Sequence, residues 1–91
     1  MNTVTESVGF ISGDRLTIFA EIADELARAY AKHGSEKWGR HEFYGVLMEE
    51  VDEAWDDIKD DMPSDQLRKE IIQIAAVCIR YLETGDRYRA D

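Results

Sequence analysis

From Leu67 to Leu82 the chain sets Leu67, Ile71, Ile72, Ile74, Ala75, Ala76, Val77, Cys78, Ile79, Tyr81 and Leu82 around nearly the whole circumference of a single helix. A helix that is apolar on most sides must be covered on most sides, so this segment fixes the fold as a helical packing problem. The whole chain is 91 residues, one small domain whose own surface-to-volume ratio leaves a marginal core. Two further helices of about 20 residues cannot easily cover the third. A second copy of the chain is expected to supply the missing wall.

Two more helix-period runs precede it. Leu16, Phe19, Ile22, Ala23, Leu26, Ala27 and Tyr30 recur at spacings of three and four, which predicts a helix beginning near Ser12 or Asp14, either able to cap it. Lys32 and His33 followed by Gly34 mark its end. The second run, from about His41 to Asp60, gathers Phe43, Tyr44, Leu47, Met48, Val51, Ala54, Trp55 and Ile58 on one face. Gly45 lies inside it, at a cost of about 1 kcal/mol relative to Ala, and is expected to admit close approach of a helix or a ligand. Asp61-Met62-Pro63-Ser64 is the turn, with Ser64 or Asp65 as the cap of a third helix over roughly Asp65 to Glu83, ending at Gly85. The expected class is all-α: an antiparallel hairpin or bundle of three main helices completed by dimerisation. Residues 1–11 read as an extended arm with Phe10 and Ile11 packing on the body, residues 12–85 as the single helical domain, and residues 86–91 as a short tail carrying Arg87, Tyr88 and Arg89.

The charge balance is 11 basic against 20 acidic residues, a formal net charge of −9. That disfavours nonspecific binding to nucleic acid or anionic membrane, and it would repel a polyphosphate unless metal ions bridged it to carboxylates. Cys78, the single cysteine, excludes an internal disulfide framework and reads as a small core residue. No run approaches a membrane span, and the first residues lack a signal peptide's pattern, so a soluble, cytoplasmic protein is expected. Neither His33 nor His41 has a Cys or second His at ligand spacing, and no Gly-rich phosphate loop is present.

The chemistry concentrates in Glu49-Glu50-Val51-Asp52-Glu53, part of a run that continues to Asp56 and Asp57. Glu50 and Glu53 stand at i, i+3 and Glu49 and Glu53 at i, i+4, with no Lys or Arg at a matching position to separate them. Two carboxylates about 5 Å apart repel by roughly 3 kcal/mol at an effective dielectric of 20. A divalent cation turns that penalty into ligation, and hard oxygen ligands suit Mg²⁺ or Mn²⁺. The bland alternative is a solvated acidic face. Glu70 tips the balance: on the third helix it lies beside Ile74, Val77 and Tyr81, toward the apolar sector, where a carboxylate needs a cation, a hydrogen-bond partner or a proton. Either an Arg from a neighbouring helix pairs with it, or it shares a metal with the glutamates of the second helix. Lys37, Trp38 and Arg40 precede the acidic helix and are placed to lie at the mouth of such a site; Trp38 equally fits as a plug for the end of the bundle.

Glu49-Glu50-Val51-Asp52-Glu53 followed sixteen residues later by Glu70-Ile71-Ile72-Gln73 resembles the EExxE and ExxD halves of the MazG-like all-α nucleoside triphosphate pyrophosphohydrolases. Leu67-Arg68-Lys69-Glu70 and Gln73-Ile74-Ala75-Ala76 also resemble the short single-domain members of phages and bacteria, over about residues 30 to 85. The resemblance implies Mg²⁺-dependent hydrolysis, with Mn²⁺ as a substitute, of a nucleoside or deoxynucleoside triphosphate to the monophosphate and pyrophosphate, in a homodimer or tetramer. By position it makes Glu50, Glu53 and Glu70 metal ligands, Gln73 a fourth, and Glu49 the group that orients or deprotonates the attacking water. Lys37, Arg40, Arg80 and the tail arginines are candidates for phosphate, and Trp38, Phe10 or Tyr88 for the base. Gln73 departs from the family's Asp, which leaves one negative charge fewer and the metal count open. The alternative is a noncatalytic helical oligomer that binds nucleotide or metal in a regulatory or structural role.

Overall fold

The computed structural model describes residues 14–85, and these form three α-helices and no strand: α1 (Arg15–His33), α2 (Arg40–Lys59) and α3 (Ser64–Thr84). The arm, Ser12, Phe10, Ile11 and the tail with Arg87, Tyr88 and Arg89 lie outside the described residues. No described helix is long and apolar enough to cross a membrane.

Local chemistry sets each boundary. Asp14 caps α1 by accepting the Leu16 N–H at 2.9 Å, and Gly34 ends it in the left-handed region (φ 76), its N–H donating to the Tyr30 carbonyl at 2.8 Å. Gly39 precedes α2 without a side-chain cap. After α2, Asp61 takes a left-handed conformation (φ 51), which Asp tolerates better than most residues. The expected caps of α3 are corrected: Pro63 holds the N-cap position, its carbonyl accepting from Gln66 at 3.0 Å and Leu67 at 3.2 Å, so Ser64 and Asp65 already lie inside the helix. Proline's fixed φ and missing N–H suit it to the boundary.

α3 is the central element. It packs against both α1 and α2, which make no close backbone contact with each other among the described residues. This explains its nearly circumferential apolar pattern, since two of its sides have partners. Phe43 stacks on Tyr81, with ring centroids 4.4 Å apart. Arg68 donates through Nε to Glu21 at 3.3 Å, and the Tyr30 hydroxyl donates to Glu83 at 2.6 Å.

The buried set among the described residues is small: Trp38, Ala54, Ala76, Arg80 and Gly85. Several residues read as core-facing are exposed, among them Leu16, Phe19, Tyr44, Trp55, Ile58, Ile71 and Leu82. A wheel identifies an apolar arc, but three helices in a row cover less of each arc than a closed bundle does. Gly45 is a further correction. A Cβ there would meet nothing within 4 Å, so no described helix approaches it closely.

Candidate functional site

Because α1 and α2 flank α3 without close backbone contact with each other, a cleft of about 540 Å³ opens between them. Glu25, Arg28, Lys32 and His33 of α1 form one wall, Val46, Glu49 and Glu50 of α2 the other, and Gln73, Ala76, Val77 and Arg80 of α3 the floor; Glu36 and Trp38 close one end.

The acidic end forms where α2 and α3 meet. Glu50 and Glu53 fall one turn apart on α2, and Glu70 comes from α3, so that one carboxylate oxygen from each lies within 4.8 Å of the others. Lys59 pairs with Asp56 at 3.3 Å and Arg68 with Glu21, while Arg28, paired with Glu25, is the cation whose charge reaches Glu50 from across the cleft. The protonation equilibria record this crowding. Partial burial pushes the Glu50 carboxyl above its ordinary value, and Glu53, Glu70, Glu25 and Glu49 add repulsion. Partial burial also raises Glu70, with Glu53 and Asp57 nearby and a hydrogen bond to Glu53 that favours the protonated form.

Gln73 joins the cluster as a donor. The surrounding acceptors assign its amide nitrogen to the carboxylate side, where it donates to Glu50 Oε1 at 2.6 Å and to Glu70 Oε1 at 3.1 Å. A neutral amide thus bridges two carboxylates at the position where the resemblance expects a fourth acid. Ligation of a cation through its oxygen requires the amide to turn over.

Two carboxylates enter this neighbourhood unannounced by the motif. Asp57, one turn beyond Glu53, bears on Glu70 and has a buried Oδ2 without a hydrogen-bond partner among the described residues. Glu25 reaches the cleft from α1 and bears on Glu50. The helical period at Asp57 was the available signal for the first; nothing in the sequence marked the second.

The other predicted residues separate. Glu49 is exposed and lines the cleft beside Glu50. Trp38 and Arg80 meet at its opposite end, where Trp38 is both buried and cleft-lining, so plug and mouth are the same place. Lys37 and Arg40 do not line the cleft. Besides Arg80, the cleft's basic side chains come from α1, as Arg28 and Lys32, with His33 beside them.

One carboxylate oxygen from each of Glu50, Glu53 and Glu70 makes a group that could hold a metal ion. No protein-family model, curated protein or solved structure matches the chain.

Proposed function

We propose that the protein is a metal-dependent nucleoside triphosphate pyrophosphohydrolase of the MazG-like all-α type. The observation that carries this reading is the convergence of Glu50, Glu53 and Glu70 within 4.8 Å across two helices. Glu50, Glu53 and Glu70 hold Mg²⁺, or Mn²⁺ in its place. Gln73 positions the two outer carboxylates by its hydrogen bonds. Glu49, exposed in the cleft and adjacent to Glu50, orients the attacking water and accepts its proton. When bound, the metal supplies positive charge to the triphosphate and makes a water more acidic. The products are the nucleoside monophosphate and pyrophosphate.

In this reading α2 and α3 form an antiparallel hairpin, consistent with Phe43 stacking on Tyr81 while Gln73 reaches Glu50, and a second copy of the chain covers apolar side chains such as Leu16, Phe19 and Ile71, each more than half exposed. The competing reading, a noncatalytic binder of metal or nucleotide, draws on the neutral Gln73 bridge. One experiment separates them: canonical and modified triphosphates are incubated with Mg²⁺ or Mn²⁺ while pyrophosphate and orthophosphate are followed. Pyrophosphate release is expected for at least one substrate. Metal binding without release leaves the noncatalytic reading.

A further inference from the structure

Arg80 is only 6% exposed, a guanidinium within the body of a chain whose net charge is −9, yet no carboxylate among the described residues pairs with it. Its carbon lies 4.2 Å from the Trp38 ring centroid and 5.7 Å from that of Tyr30. One Nη donates to the Gly34 carbonyl at 3.4 Å, a long contact, and the buried Nε has no acceptor. A buried charge with an unspent donor is costly, and an incoming acceptor recovers that cost. Aromatic neighbours restrain the guanidinium, and its fork of donors matches the paired oxygens of an oxyanion. Arg80 lines the cleft together with Lys32 and His33 of α1, beside the small Ala76.

We propose that this end of the cleft is an oxyanion site in which the Arg80 guanidinium takes a phosphoryl group, without requiring a cation at the acidic end. The step from Gln73 to Arg80 is about 10 Å along the helix, so the site is distinct from the carboxylate cluster. Trp38 is then a positioning residue that holds Arg80, and its ring face toward Arg80 is not open to a base. The inference deepens the proposed function by giving the ligand a phosphoryl group at this end; binding there needs neither metal nor turnover.

The test uses the full chain at low salt in EDTA. Pyrophosphate, and in a separate arm malonate, is titrated while the Arg80 Nε–H and Trp38 indole resonances are followed by NMR. A saturable shift of the Arg80 Nε–H by pyrophosphate is expected, with binding weakened roughly tenfold or more in Arg80→Gln, and weakened also in Arg80→Lys, which keeps the charge and loses the fork. If Arg80→Gln fails to fold, the wild-type resonance decides. No response to about 10 mM pyrophosphate, wild-type affinity in a folded Arg80→Gln, or tighter binding of malonate than of pyrophosphate overturns the proposal. Glu70→Gln distinguishes the two readings: it is expected to lose turnover and keep metal-free pyrophosphate binding. A chain that binds pyrophosphate in EDTA but hydrolyses no triphosphate keeps this site and sinks the hydrolase.

Discussion

Glu21 and Glu70 are both glutamates on the surface of α3's packing with a neighbour, and their surroundings are opposite. Glu21 of α1 receives Arg68, whose hydrogen bond lowers its carboxyl below the ordinary value. Glu70, two residues after Arg68 on the same helix, receives no cation and is raised. Two residues turn a helix by about 200°, so α3 spends its arginine on one side and leaves the acidic cluster on another. Lys59 behaves likewise, pairing with Asp56 and lying 5.7 Å from the Trp55 ring centroid. The weak countercharge around Glu50, Glu53 and Glu70 is therefore positional: Arg68 and Lys59 face elsewhere, and Arg28, which acts on Glu50 from α1, is already paired with Glu25.

The sharpest way to break this contrast is at the cluster. Glu53→Gln and Glu70→Gln are each expected to lower pyrophosphate release by roughly 100-fold or more while the helical circular dichroism is retained; near wild-type turnover in either folded variant rejects the shared site. Next in size is the effect of metal itself. Mg²⁺ or Mn²⁺ at a hundredfold excess over its Kd should stabilise the protein by about 2.7 kcal/mol, read as a rise in Tm that EDTA removes. An unchanged Tm at saturating metal means that the carboxylates do not ligate.

Acidity offers a smaller, signed test. Glu50 and Glu70 have folded values raised above the reference of 4.5, so the folded state binds their protons more tightly. Their unfavourable contribution is full above the raised values and disappears as the pH falls through them toward 4.5. Metal-free Tm should consequently rise as the pH falls from neutral toward 4.5, and bound Mg²⁺ should flatten that slope. Glu21 works the other way: its lowered value makes its contribution fade only below 4.5, outside that window. A metal-free Tm that falls over the same interval contradicts the assignment of the cluster as the dominant strained acids. The smallest effect belongs to Glu21→Gln. This exposed pair should shift Tm little and leave turnover and its metal dependence unchanged, as expected for surface ion pairs; a loss of turnover there would mean that the contrast between the two glutamates is not functional.

Much of this was legible in the residue pattern. The periodicities of Leu16 to Tyr30 and Leu67 to Leu82 anticipate α1 and α3, and Gly34 and Pro63 mark boundaries because each has backbone restrictions that act locally. The convergence of Glu70 with Glu50 and Glu53 was anticipated because i, i+3 spacing and a short turn leave little freedom in where two neighbouring helices meet. The exposure of Trp55, Ile58 and Tyr44 was not, since a wheel shows which side is apolar without showing how much of it is covered. Nor was the orientation of Gln73, which depends on carboxylate oxygens contributed by two helices.

By itself the sequence determined that the chain is helical, where the helices stop, and which carboxylates stand one turn apart on α2, because these follow from dihedral preference and helical phase within a few residues. Only the tertiary structure decided that α3 lies between α1 and α2, that a cleft opens over it, and that Arg80 is buried against Trp38 with Nε unpartnered. Those outcomes depend on which surfaces of distant segments meet, and helix phase alone does not specify that.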